Sequence, residues 1–508
     1  MEYDVIFVTG EIFFDHPMSG VAILKRLLEK HNYSVAVIEQ PTNINQIKKF
    51  GKPKLFFGVT SGAIDSMVRN YTPLKKKRNE DDNLDYDENV KDRAVIVYSN
   101  WIKQTFKDSI IVLGGTEATL RRFSHYDYWD NNIRKSILFD SRADILVYGS
   151  GEKQILEISN NIQNKKELIN IKGTCIVSKQ LPQEKFILLP SHEDVENSKE
   201  KFVDMQNLLT NKKLLVQKNQ SRYVIQYPSP IYTSKDLDEY YEFDYTRKVP
   251  KTLRGFEFSV VTHRGCIGDC NFCSLKLIQG DKMISRSEKS ILKEIKKLTT
   301  HKFFKGNIDD LGGPSVNMYG MDCDKCNLNN CINCNQLDRS QKKLISLLKK
   351  ANEIEGIKNI YIRSGIRYDL ANEEYITQLI KGNHIFKKLR IAPEHINKTI
   401  LNLMNKNKGN LIEFNKMFQE CSEKLSSKKQ LSYYFMTAHP GSSIKEAKEL
   451  YEFIKNLKNI ENVQIFIPTP MTNSTCMYYT GMDLNKNRIY VPYTYNEKKK
   501  QKRVLFNN

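Results

Sequence analysis

The 508-residue chain lacks several things, and each absence excludes a class. No uninterrupted apolar run approaches the ~18 residues needed to cross a bilayer, so no membrane-spanning helix is expected. The start, Met1-Glu-Tyr-Asp-Val-Ile-Phe-Val, has no basic n-region and reads as a first strand, not a signal peptide. Neither a GxGxxG nor a Walker A pattern is present, so no nucleotide is implied by glycine spacing. Cysteine is nearly absent outside one region: seven of ten fall between residues 266 and 334. Such a distribution is no disulfide framework, and it places the chain in a reducing, cytoplasmic setting. Cys175, Cys421 and Cys476 are scattered and read as buried single thiols.

Charge is abundant: the net value is +20. Affinity for nucleic acid is one reading. The lysines, however, are spread along the chain and fall on helix faces; only 75–78 and 498–503 are dense. Solvated faces are the favoured reading.

The first ~180 residues alternate apolar runs with helical patterns. Runs at 5–8, 35–38, 55–59, 110–113 and 145–148 read as buried parallel strands, and 21–30 as an amphipathic helix. A doubly wound α/β domain is expected over 1–180. The arrangement resembles cobalamin-binding domains, some of which bind the cofactor through an Asp-x-His-x-x-Gly loop. Here Asp15 and His16 are adjacent and His16 stands four before Gly20, so His16 reads as a loop residue. A charged, Asn- and Asp-rich loop runs from Thr72 to about residue 90. In 114–129, Thr116 and Glu117 are positioned to cap a helix bearing Arg121 and Arg122. The aromatic and His density around them suits a cleft or, slightly better, interdomain packing.

Residues 181–254 show little periodicity and read as a connecting segment on the surface. From 255 to 480 six strand signals follow, at 257–262, 307–311, 359–363, 389–392, 431–437 and 463–467. Helical patterns separate them, and Glu288, three after Ser285, suggests a capping box. Six βα units are too few for a closed eight-unit barrel and fit a (βα)6 partial barrel. The last 28 residues, 481–508, read as a basic, partly ordered tail.

The chemistry concentrates in Cys266-Ile-Gly-Asp-Cys270-Asn-Phe-Cys273. Three thiolates with no fourth leave a metal one open position. Zinc, with His263 as fourth ligand, is the bland alternative. The spacing and Phe272 resemble the radical SAM superfamily, where three cysteines hold a [4Fe–4S] cluster and S-adenosylmethionine (SAM) takes the fourth iron. Asp310-Leu-Gly-Gly313 resembles that family's Gly-Gly-Glu motif, whose backbone carbonyls meet the SAM amine, although Pro314 replaces the Glu. Arg363 and Glu394 lie at carboxyl ends of barrel strands, where polar residues read as active-site residues. No general acid or base stands out. Cys323-x-x-Cys326-x4-Cys331-x-x-Cys334, within an insertion at 321–336, forms a second, closed set of four thiolates beside Asn327, Asn329 and Asn330. It suits zinc or an auxiliary iron–sulfur cluster.

Taken with DHPMSG at 15–20, GGTEATLRRFSHYDYW at 114–129, RIAPEH at 390–395, HPGS at 439–442 and PTPMTNST at 468–475, the chain resembles the YgiQ-type radical SAM proteins nearly end to end. The resemblance implies an N-terminal α/β domain, a radical SAM core and reductive cleavage of SAM to a 5′-deoxyadenosyl radical that abstracts hydrogen. It further implies SAM contacts from Phe272, Gly312, Gly313, Arg363 and Glu394, and a one-electron donor such as flavodoxin or ferredoxin. It supplies no substrate. The 468–475 loop and basic charge suggest a methylthiotransferase-like, RNA-modifying variant. A non-catalytic metal- or nucleic-acid-binding protein is the second class.

Overall fold

The computed structural model describes residues 2–78, 90–326 and 331–506. Most of the charged loop ending near 90, and Asn327, Asn329 and Asn330, lie outside them. The chain divides into two compact units: one of 1–231, 250–252 and 467–488, the other of 232–249, 253–466 and 489–508.

The first unit is organised on a nine-stranded sheet. Val35–Glu39, Val5–Thr9, Phe56–Thr60, Ile110–Leu113 and Ile145–Val147 lie side by side in that order, all parallel. Burial on both faces explains their apolar composition. The helix Gly20–Lys30 makes the first crossover, its amino end capped by Ser19.

The sheet then continues, after one more strand at the end of 1–180, through residues expected only to connect. Thr174–Ser178 joins antiparallel to Ile145–Val147, followed by Arg222–Gln226, Leu215–Asn219 and Ile187–Leu189. Two features hid these strands. The hairpin turns on Gln220-Ser221, with Gln220 at φ +51°, rather than on the usual Asn-Gly. Buried glutamines also interrupt the apolar runs. Gln217 accepts the Ser124 amide (2.8 Å), and Gln226 accepts Arg122 Nε (2.8 Å). The connecting-segment reading of 181–254 is therefore corrected: the sheet takes its first half and 232–249 joins the second unit.

Residues 467–488 are also redirected. The 468–475 stretch follows the last strand signal at 463–467 but does not stay with the barrel unit. Instead Thr472 caps the helix Asn473–Thr480 within the first unit. Tyr479 stacks on Tyr126 at 4.8 Å, and Gln206 donates to the Met471 carbonyl (3.0 Å). The dense aromatics of 114–129 thus pack against this returning helix. Gly114, not Thr116 or Glu117, precedes the helix Gly115–Thr119, and no side chain caps it.

In the second unit the six expected strand positions all carry strands. Val260–Val261 pairs with Leu311–Gly312, and Asn307–Ile308 with Asn359–Ile360. Lys388–Glu394, Gln430–Thr437 and Ile460–Ile465 form one three-stranded sheet. Every one of these pairings is parallel, and helices follow in the βα manner. Their apolar faces form one core, including Ile291, Ile295, Leu344, Leu348, Tyr375 and Leu450. Buried Glu294 joins Arg247 to Arg286, fastening 232–249 to the first barrel strand. The helix Glu288–Thr299 is capped by Ser287; Ser285 lies in the strand Ile284–Ser285, so the expected capping box does not form.

In its described residues the basic tail is folded. Thr494 and Glu497 form a capping box on the helix Tyr495–Val504. Gln501 on that helix accepts from the Ala438 amide (3.0 Å) and Thr437 Oγ1 (3.1 Å) and donates to the Ser442 carbonyl (2.6 Å). It plugs the turn after the Gln430–Thr437 strand.

Candidate active site

The three-cysteine loop leaves the first barrel strand and is tied at several points. The Cys266 amide donates to the Gly280 carbonyl (3.1 Å), closing the loop. The Cys273 amide donates to the Cys270 carbonyl (3.1 Å), making a tight turn. Asn271 bonds through its amide and side chain to the carbonyls of Met404 and Leu403 (both 2.9 Å). Asn405 returns a bond to the Asp269 carbonyl (2.8 Å). Gly268 has no room for a side chain, because the Arg367 guanidinium lies against its Cα.

One cation bonds a thiol, and a second acts electrostatically on the other two. Arg367 Nη1 donates to Cys270 Sγ at 3.4 Å, and a two-point pair with Asp369 (3.0 and 2.5 Å) holds the guanidinium in place. Asn317 clasps the Arg367 backbone from both sides (2.8 and 2.9 Å). Lys406, nearly buried, sits 3.6 Å from Glu394 and 5.9 Å above the Phe272 ring. Burial pushes the thiols of Cys266 and Cys273 up, the latter to about 12, while Lys406 acts in the opposite direction on both. An anionic centre on the three sulfurs would relieve that imbalance: it would place negative charge beside two fixed positive ones. Among the described residues no three thiol, imidazole or carboxylate groups are drawn onto one point. The thiols line the loop, and the donor set (three sulfurs, backed by cations and backbone N–H) fits a cluster with an open position.

The expected SAM contacts divide into two groups. Phe272 and Glu394 gather around Lys406. Burial raises the Glu394 carboxyl above its ordinary value, against the pull of Lys406. Gly312 and Gly313 end the second barrel position. A side chain on Gly312 would meet Ser364 Oγ at 2.5 Å, and one on Gly313 would meet the His263 ring at 2.6 Å. The Gly312 carbonyl already accepts both the amide and hydroxyl of Thr262 (2.8 and 3.2 Å). Of the pair, Gly313 is therefore the better candidate for an amine. Arg363 stands apart: its guanidinium bonds the Gly255 carbonyl (2.6 Å) and stacks 4.0 Å from the Phe256 ring.

Sequence reasoning took the 363–369 strand end for an active-site position but singled out Arg363 rather than Arg367 and Asp369, and it missed Lys406 altogether. Arg367 lies 97 residues from the cysteine it serves, and nothing in the local pattern marks Lys406. His263, considered as a zinc ligand, instead shares a hydrogen bond with Thr262 Oγ1 (2.8 Å). Burial lowers its pKa to about 3, so it is neutral.

In the first unit, the strand order turns back between Val5–Thr9 and Phe56–Thr60, the place where doubly wound sheets take ligands. Here the chain fills it. Glu11 accepts the Ala63 amide (2.9 Å), and a Cβ on Gly62, at φ +100°, would lie 2.5 Å from Glu11 Oε2. His16 is fully buried and its Nδ1 accepts the Met18 amide (3.1 Å).

A doubly wound sheet with five parallel strands, followed in the chain by six parallel βα units with an x3/x2 cysteine loop after the first barrel strand, defines the radical SAM class. The Radical SAM N-terminal family model matches residues 1–259 and the Radical SAM superfamily model 260–454. The chain is 44% identical to a UPF0313 protein of Methanocaldococcus jannaschii, over 99% of this chain and 89% of that one. It is 39% identical to one of Fusobacterium nucleatum, over 99% and 95%. The chain belongs to the UPF0313 family of radical SAM proteins. In fold it is similar to the radical SAM methyltransferase TsrM of Kitasatospora setae with cobalamin and a [4Fe–4S] cluster bound. That match has TM-score 0.57 and 12% identity, over 94% of this chain and 76% of TsrM. It is also similar to the cobalamin-dependent radical SAM enzyme OxsB (TM-score 0.51, 13% identity, 91% of this chain and 53% of OxsB). The fold is shared, but cobalamin does not fit the residues of this chain. His16 is sealed in its own loop, and Glu11 occupies the turning point of the sheet.

Proposed function

We propose that the chain is a radical SAM enzyme that carries its [4Fe–4S] cluster on Cys266, Cys270 and Cys273. The observation carrying this reading is the set of three loop thiols, one bonded by Arg367 and the other two acted on by Lys406. When bound, the cluster supplies one electron for reductive cleavage of SAM, and the resulting 5′-deoxyadenosyl radical takes a hydrogen atom from a substrate.

The chain's own residues position and insulate this chemistry. Asp369 orients Arg367, and Arg367 directs an N–H at the Cys270 sulfur, which fixes that thiolate and favours the more negative, reduced state. Lys406 adds a second positive charge while Glu394 keeps it in place. Neutral His263, packed on Gly313, sets the floor on which the SAM amine would meet the Gly313 carbonyl. Phe272 covers the Lys406 side of the loop and limits water. A small one-electron donor protein and a cytoplasmic setting complete the reading.

The test is anaerobic reconstitution with iron and sulfide, then SAM and dithionite. A brown protein that forms 5′-deoxyadenosine is expected, and Cys270→Ala should form none. A Cys270→Ala protein that still produced it would sink the assignment. About two zinc ions per chain and no iron would instead favour the non-catalytic reading. The 468–475 stretch no longer favours RNA modification, since Thr472 and Thr475 spend their hydroxyls on the Thr469 carbonyl (2.9 and 2.6 Å). Retention on tRNA that did not change with salt would count further against it.

A further inference from the structure

The other four clustered cysteines have no place in that reading, and their surroundings are unlike those of core thiols. Cys175, Cys421 and Cys476 are buried, as single structural thiols are. Cys323, Cys331 and Cys334 are half-buried and Cys326 is exposed. Among the described residues from 321 to 341, the one regular element is the short 3₁₀ turn Cys331–Asn333. A stretch this poor in secondary structure has no backbone ladder to order it.

The stretch is nevertheless pinned to the barrel. Asp322 accepts the Ser285 amide (2.5 Å), and the Gly320 amide donates to Ser285 Oγ (2.9 Å). Lys282 Nζ reaches the Cys326 carbonyl (3.2 Å), and Arg339 holds the Ile332 carbonyl (2.6 Å). Ile332, Met321 and Leu337 enter a small apolar cluster with Ile267 and Met283. Cys331, Cys334 and Cys266 all pack against that cluster. The Cys334 amide donates to the Cys331 carbonyl (3.0 Å), the same tight turn that joins Cys270 to Cys273 (3.1 Å).

We infer that Cys323, Cys326, Cys331 and Cys334 bind a thiolate-ligated metal centre of their own, distinct from the three-cysteine site and sharing its apolar wall. Four thiolates from two Cys-x-x-Cys pairs form a closed tetrahedral donor set, with no protein position left open. Binding releases the thiol protons and draws the two turns onto one point, so the metal orders the stretch. Zinc and iron share this ligand chemistry, and the experiment separates them.

The full-length chain with Cys266→Ala, Cys270→Ala and Cys273→Ala is purified anaerobically and desalted after exposure to zinc, or to ferrous iron with sulfide. Metal is counted, and alkylation of each cysteine is mapped by mass spectrometry. Expected is one retained centre and at least tenfold slower alkylation of Cys323, Cys326, Cys331 and Cys334, with Cys175, Cys421 and Cys476 unchanged. A colourless product assigns zinc, and visible sulfur-to-iron absorption assigns an iron–sulfur cluster. No retained metal, with all four cysteines alkylating at the apo rate, overturns the inference. If that variant does not fold, Cys331→Ser/Cys334→Ser in the natural sequence serves instead. It should hold one centre fewer than the unaltered protein, and equal metal content overturns the inference. Because the first variant lacks the three-cysteine site, failure of the proposed activity and failure of this inference remain distinguishable.

Discussion

The turn after Val5–Thr9 and the loop after Val260–Val261 occupy corresponding places, each at the carboxyl end of the first parallel strand of its unit. In the sheet unit that place is closed by the chain itself, where Glu11 lies against Gly62 and bonds Ala63. In the barrel unit it holds three thiols, and the nearby charges are cations kept by their own carboxylates. Strand order determines where a crevice can form; the side chains at the strand ends determine whether a ligand has anywhere to go. The sheet unit shares its fold with cobalamin-bound enzymes, yet fills the position with its own carboxylate.

Acid should separate the two units most strongly. Burial lowers the imidazoles of His263 and His439 to about 3 and those of His395 and His125 to about 4, against 6.5 ordinarily. A depressed folded pKa gives stability that is complete above 6.5 and is lost as pH falls toward the folded value. From pH 7 to 5 each imidazole costs about 2 kcal/mol. The barrel unit has three of these four and the sheet unit only His125, so its loss from this source is about three times larger. Trp101 and Trp129 are the only tryptophans and both lie in the sheet unit. Tryptophan fluorescence therefore follows that unit while circular dichroism follows both. Denaturant midpoints that fall equally by the two probes would break the comparison.

Next in size is Arg367→Gln. It strands Asp369 in a site where both side chains are almost inaccessible, at a cost of about 3–5 kcal/mol. It also removes the N–H to Cys270, lowering 5′-deoxyadenosine formation by about 10–100-fold. Arg367→Lys should recover part of both losses. A variant with unaltered stability and turnover would remove Arg367 from the site.

Glu117→Gln tests the sheet unit alone. Glu117 is buried and accepts from the Ser66 amide (3.1 Å), Ser66 Oγ (2.5 Å) and the Val95 amide (3.2 Å). Weakening these bonds should cost about 1.5–3 kcal/mol by tryptophan-detected unfolding, with iron content unchanged. The smallest effect belongs to Glu11→Gln, at about 1 kcal/mol or less. Neither that variant nor the unaltered chain should shift the visible spectrum of added hydroxocobalamin. A spectral shift would show the turning point to be open.

What could be read from the amino acids follows one rule. The five parallel strands were legible because burial on both faces makes them plain apolar runs. The three cysteines were legible because all lie in one ten-residue loop, where spacing alone sets their geometry. The hairpin of Leu215–Asn219 and Arg222–Gln226 was not, since Gln217 and Gln226 are polar residues buried for partners about 90–100 positions away. Nor was the path of 467–488, which leaves the last barrel strand to rejoin the sheet unit. Gln501 reads as part of a basic tail until it is seen to fill the turn at 437–442. Most telling is the three-cysteine site itself. Its ligands were set by local sequence, whereas the cations beside them come from Arg367 and Lys406, brought by the barrel from far along the chain. Contacts across such separations leave no periodic trace in the sequence, because they depend on which strand ends the fold places together. Only the tertiary structure decides them.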